Sequence, residues 1–172
     1  MTSPETTPDA VPAADLDTAR PTSPDLATPQ GRRELSTSLP LDETSRSALA
    51  ERGLTYRRID VAGEDFDHYS HAVDRGFLDE RSTDEAVSEW RTIHTEQRPI
   101  GVFDAETPEP LRPVATIDAW VDELTTDVGR TLPMWAISAV TVSATHRRRG
   151  IARAMLEGSC ARRRRRGCRS PA

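Results

Sequence analysis

The chain has 172 residues, 30% of them charged and only 5% aromatic, with a formal net charge of −5. This is enough for one ordinary domain. Neither a membrane span nor a secretory leader is expected, because there is no apolar run of about 18 residues and the first residues are neither basic nor apolar.

Residues 1–48 are expected to be a disordered tail. The first 40 positions hold seven of the 13 Pro, and no Phe, Trp or Tyr precedes Tyr56. Such a stretch buries too little apolar area to offset its chain entropy. Leu54 to Ile59 reads as a short first strand. Phe66, Tyr69, Val73 and Phe77 recur every three or four residues, which predicts an amphipathic helix from Asp65 to Leu78. Ser82-Thr83-Asp84-Glu85 reads as a capping box opened by Ser82, with Val87, Trp90 and Ile93 as the buried stripe of the following helix. His68 and His71, near Asp67 and Asp74, read as surface histidines, and no metal is expected.

The period then changes to two. Ile100 to Phe103, Val114 to Val121 and Trp135 to Val142 are predicted strands, with Asp127-Val128-Gly129-Arg130 as a turn. In the last strand the apolar phase slips from Trp135 and Ile137 to Val140 and Val142, as a β-bulge would cause. Ile151 to Glu157 has good helical propensity. The order β-α-α-β-β-β-α makes an α/β (α+β) domain with antiparallel strands in its middle.

Chemistry concentrates where the last strand runs through a short basic loop into that helix, from Val140-Thr141-Val142 to Arg147-Arg148-Arg149-Gly150-Ile151-Ala152. The first amides of a helix have no intrahelical partner, and the dipole places partial positive charge there. With three arginines alongside, such an end suits a diphosphate. Gly150 lets an anion approach the backbone, and Ala152 keeps the next turn slim. His146 reads as a group that orients the loop.

Arg147-Arg148-Arg149-Gly150-Ile151-Ala152 resembles the Arg/Gln-x-x-Gly-x-Gly/Ala signature of GCN5-related N-acetyltransferases (GNATs). With Val140-Thr141-Val142, Thr145-His146 and Arg153-Ala154-Met155, the wider string resembles their enhanced-intracellular-survival (Eis) branch. His71-Ala72-Val73 with Phe77, and Ile100 to Asp104, are similar to the same branch. The resemblance spans residues 54–157. It implies the N-terminal half of the GNAT acyl-CoA N-acyltransferase fold, a mixed and mostly antiparallel sheet with flanking helices, as a partial domain over residues 49–157.

The same resemblance implies acetyl transfer from acetyl-CoA to a primary amine, such as an aminoglycoside or a lysine-type small molecule or peptide. Backbone groups of Val140, Thr141 and Val142 would hold the pantetheine and acetyl end, and Arg148, Arg149, Gly150, Ile151, Ala152 and Arg153 the pyrophosphate. Independently of the resemblance, the two cysteines, both in the last 13 residues, read as those of a cytoplasmic chain. No membrane partner is expected, and nucleic acid is not the expected partner because no aromatic follows Trp135 to stack on bases. The resemblance adds that full-length relatives are homo-oligomeric. The branch's catalytic acid and base fall on segments with no counterpart here, since no Tyr follows Tyr69, so no catalytic residue is assigned. Trp90 and Phe103 are at most acceptor-side residues.

All 23 basic residues are Arg; ten lie between Arg147 and Arg169, where Glu157 is the one acid. Residues 158–172 break the helical pattern with Arg, Gly, Cys, Ser and Pro, a composition that out-of-frame reading of GC-rich DNA produces, so a truncated or frameshifted, catalytically impaired acetyltransferase is the expectation. The alternative is a non-catalytic chain whose Arg162 to Arg166 run binds nucleic acid or another polyanion. Cys160 and Cys168 are too few for a disulfide framework.

Overall fold

Alternating and helically spaced apolar residues form the elements in the order read from the sequence, in a computed structural model that describes residues 24–127 and 129–165. Strand β1 (Leu54–Arg58) is followed by helices of residues Asp65–Phe77 and Asp84–His94, then by β2 (Ile100–Asp104), β3 (Ala115–Asp127), β4 (Arg130–Val142) and a helix of residues Ile151–Arg165. Two further helices come first: α1 (Pro29–Ser38) and α2 (Glu43–Ala50), so the later three are α3, α4 and α5. The four strands form one antiparallel sheet in the order β1-β2-β3-β4.

Each face of the sheet carries its own core. On one, Leu49 of α2 and Ile151, Ala154 and Met155 of α5 pack with Tyr56, Ile100, Val102 and Ile117 of the strands. On the other, Phe66, Tyr69 and Val73 of α3 and Val87 of α4 pack with Ile59 and Phe103. Phe66, Tyr69, Ile117 and Met155 are 0–1% exposed, and a fully buried side chain of this kind contributes about 1.5–3 kcal/mol.

The phase slip in the last strand is a β-bulge. Thr116 pairs with Thr141 and Asp118 with Ser138, so Ile117 alone faces Ala139 and Val140. Ala139 takes a left-handed φ of 50°. The extra residue turns Ile137, Val140 and Val142 toward the same α2/α5 core despite their mixed parity, while Ala139 joins the opposite cluster.

Disorder through residue 48 is corrected from Pro29 onward. Thr28 caps α1 by accepting from the Gly31 amide (3.1 Å), and Asp42 caps α2 by accepting from the Ser45 amide (2.9 Å). Tertiary bonds then hold these polar helices. Ser36 Oγ accepts from the Val121 amide of β3 (2.8 Å), and the buried Arg98 donates to the carbonyls of Leu39 (3.1 Å) and Pro40 (2.7 Å). Residues 1–23 lie outside the described residues.

Three smaller expectations also change. The α4 cap is Thr83, which accepts from the Ala86 amide (3.3 Å), whereas Ser82 is drawn to Asp74, donating through its amide (2.8 Å) and its hydroxyl (3.0 Å). Within the α4 stripe only Val87 is buried, Trp90 and Ile93 being 37% and 58% exposed, and Phe77 of α3 is exposed as well. The helical pattern does not break at 158. Helix α5 continues to Arg165 because Gly158 fits tightly against Ser45 of α2 and Ser159 Oγ accepts from the Trp135 indole (2.9 Å). The run Arg162 to Arg166 passes from this helix into residues 166–172, which are outside the described ones. No described helix is long and apolar enough to cross a membrane.

Candidate active site

Strand β4 delivers Val140, Thr141 and Val142 to the edge of the sheet, where no further strand lies beside it among the described residues. The bulge is held from behind. Thr116 Oγ1 donates to the Ala139 carbonyl (2.7 Å) and lies 2.7 Å from Thr141 Oγ1. Helix α3 comes so close that a Cβ on Gly76 would sit 2.3 Å from Thr141 Cβ.

After Val142 the chain makes one 3₁₀ turn, Ala144–His146, anchored where the Ser143 amide donates to the Val114 carbonyl (2.8 Å). His146 is buried, its Nε2 lying 2.9 Å from Asp104 Oδ2 at the end of β2 and its Nδ1 2.9 Å from Thr145 Oγ1. Hydrogen bonds from the His146 ring and the Glu106 amide hold the Asp104 carboxyl below the usual carboxylate range. His146 thus orients the loop, as its sequence context suggested.

Arg147 folds back, donating through Nε to the Val142 carbonyl (3.2 Å). Arg148 and Gly150 take left-handed φ values of 64° and 70°. The Gly150 carbonyl accepts the first helical bond, from the Ala154 amide (3.1 Å). The side chains of Ile151 and Met155 are driven into the core, pinning the start of α5. Arg148, Arg149 and Arg153 stay exposed. The fold therefore gathers Arg148, Arg149, Gly150, Ile151, Ala152 and Arg153 at one helix end, directly after the strand that carries Val140, Thr141 and Val142. Backbone amides at a helix start, which lack intrahelical partners, its positive dipole end and three exposed guanidinium groups thus stand together there.

A family model described as an acetyltransferase (GNAT) domain matches residues 56–169. The chain belongs to the GNAT acetyltransferase family. It is accordingly an acetyl-CoA-dependent N-acetyltransferase by family, and acetyl-CoA is the donor. Among solved structures, a GNAT from Kribbella flavida aligns with a TM-score of 0.50 at 24% identity over 66% of this chain and 28% of that one, a likeness of fold. An acetyltransferase from Trypanosoma brucei aligns at 20% identity over 67% of this chain and 78% of that one, with a TM-score of 0.47. A predicted acetyltransferase from Clostridium acetobutylicum, solved with acetyl-CoA, aligns at 17% identity over 66% and 75%, with a TM-score of 0.49. No curated protein sequence matches the chain.

This GNAT domain holds two polar features that sequence patterning missed. Asp118 of β3 is 2% exposed and accepts from the amides of Arg98 (3.1 Å) and Ala119 (2.8 Å), with His94 Nε2 3.3 Å from its other oxygen. Burial pushes the Asp118 carboxyl up to about 7 and the His94 imidazole down. An acid inside the strand pattern Ile117-Asp118-Ala119 was the available signal. The second feature is Arg52, in the turn between α2 and β1, whose Nη1 donates to the Arg149 carbonyl of the loop. No local pattern marks it.

The remaining candidates are placed apart from the loop. His68 and His71 line an open cleft of about 660 Å³ with Arg75, Arg81, Glu109 and Arg112, and His71 Nε2 accepts from Arg81 Nε (3.2 Å). Trp90 stacks on His94, and Phe103 is buried beneath the Arg57 guanidinium, 4.0 Å from its ring centre.

Proposed function

We propose that this GNAT domain is of the Eis type and transfers acetyl from acetyl-CoA to a primary amine, an aminoglycoside or a lysine-type acceptor, in the cytoplasm. The observation that carries this reading is the junction of β4 and α5. There the bulged strand and the arginine-rimmed helix end are joined by only eight residues, Ser143 to Gly150. In this reading the pyrophosphate sits against Arg148 to Arg153 and the pantetheine lies along Val140 to Val142.

The amine attacks as its neutral form. A C–N bond forms as the C–S bond breaks, and the amine's proton is lost while the leaving thiolate takes one up. In this reading the oxyanion is met by a main-chain N–H of β4.

Calorimetric titration of the whole chain with acetyl-CoA tests this, together with the double variant R148A/R149A. Saturable binding that weakens by tenfold or more in the variant supports it. Absence of acetyl-CoA binding overturns it. DNA binding that disappears when Arg162 to Arg166 are replaced by Gln, with acetyl-CoA inert, would select the polyanion reading instead.

A further inference from the structure

We propose that Arg52 is a positioning residue for the diphosphate loop, locking the Arg149–Gly150 peptide from the side of α2. This proposal rests on the reading of that loop as the acetyl-CoA site. Arg52 lies before the segment that matches the family model, residues 56–169.

Its placement is rigid. Leu49, three residues earlier and 0% exposed, belongs to the same apolar cluster as Ile151 and Met155 of α5. The Arg52 amide donates to the Leu49 carbonyl (3.0 Å), and the Gly53 amide to that of Ala50 (2.9 Å). Helices α2 and α5 thus share one core, and the Arg52 side chain has a fixed base from which to reach the loop.

What it holds decides which way the loop amides point. Arg52 Nη1 donates to the Arg149 carbonyl. In a trans peptide the carbonyl of one residue and the N–H of the next point in opposite directions. Holding the Arg149 carbonyl toward α2 therefore sends the Gly150 N–H to the opposite side of the loop. The guanidinium also stands where a side chain at Gly150 would begin, since a Cβ there would lie 3.0 Å from Arg52 Nη1. With φ near 70° at Gly150 and 64° at Arg148, the loop has left-handed turns on both sides of that peptide. A bond from outside is what keeps it from flipping. Arg52 itself is exposed, so its substitution leaves the core untouched.

The test uses the full chain with Arg52→Ala and Arg52→Lys. Expected for Arg52→Ala is a loss of acetyl-CoA affinity of about tenfold, as for one charge-assisted hydrogen bond. Lys keeps a charged donor and recovers most of it, with the melting temperature of both variants within about 2 °C of the parent. Nitrogen-15 relaxation in the free chain gives the second readout: the amides of Arg149 and Gly150 gain motion in Arg52→Ala and not in Arg52→Lys. Unchanged affinity in Arg52→Ala overturns the proposal, as does a loss that comes with a fall in melting temperature and loosening across α2. If the parent chain binds no acetyl-CoA, the functional reading falls. The relaxation data then decide the role of Arg52 alone, and unchanged loop motion overturns it.

Discussion

His146 Nε2 lies 2.9 Å from Asp104 Oδ2, joining the 3₁₀ turn after β4 to the end of β2, 42 residues earlier in the chain. This strut stands behind the loop that ends in Gly150. Removing it loosens the turn without altering Arg148, Arg149, Gly150 or Arg153, the groups proposed to meet the diphosphate.

His146→Ala is therefore expected to weaken acetyl-CoA binding by roughly tenfold, the scale of losing a hydrogen-bonded support, as measured by calorimetry. The bond also has a pH signature. Asp104 is held below the usual carboxylate range, so its contribution to stability is present above the unfolded carboxylate pKa and is lost as pH falls through the lower folded value. Acid melting curves of Asp104→Asn should show a smaller loss of stability below about pH 4 than the parent.

Asp118 carries the opposite sign. Its pKa is raised by burial to about 7, so the folded state retains a proton that the unfolded state releases near pH 4. Stability from this group is full below the unfolded pKa and declines as pH rises toward 7, by at most about 1.4 kcal/mol per pH unit. His94 Nδ1 lies 2.8 Å from the Trp90 carbonyl and serves as donor to it, which leaves Nε2 to accept from a protonated Asp118. An Asn amide can donate to the same nitrogen. Asp118→Asn should therefore flatten the decline between pH 5 and 7, and equal pH slopes in parent and variant would refute this.

Gly76 is a site of close approach rather than of turning. With 2.3 Å between a Cβ there and Thr141 Cβ, Gly76→Ala forces α3 away from β4 at the bulge. Overpacking of this kind costs about 1–3 kcal/mol, read from the urea midpoint at unchanged slope.

Gly150→Ala meets two obstacles, a φ of 70° and the Arg52 guanidinium. The left-handed conformation alone costs about 1–2 kcal/mol for a residue with a Cβ. Reduced acetyl-CoA affinity should accompany the loss of stability, and the affinity loss should shrink when Arg52 is already Ala. A double-mutant cycle measures that coupling.

At the start of α4, the structure separates two neighbouring hydroxyls. Thr83→Ala should lower stability by about 1 kcal/mol through loss of the cap. Ser82→Ala instead removes its hydroxyl bond to Asp74 (3.0 Å) and leaves the cap in place. Helix content by circular dichroism, followed through melting, distinguishes the two.

The order of elements from Leu54 to α5, the bulge in β4 and the strand–loop–helix junction at Gly150 are all legible in the residues alone. Each is written in local spacing: apolar residues every three or four positions, every second position, or with one slip of phase between Ile137 and Val140. Burial on one face of an element imposes that spacing, so local pattern reports it. Long-range packing alone settles that α1 and α2 fold, that Trp90 and Ile93 remain exposed, that Asp104 is the partner of His146, and that Arg52 reaches the loop. Ser36 reaches Val121 across 85 residues and Arg52 reaches Arg149 across 97. A hydrogen bond over such a separation is satisfied by whatever the fold brings near, and it leaves no period in the chain for spacing to reveal.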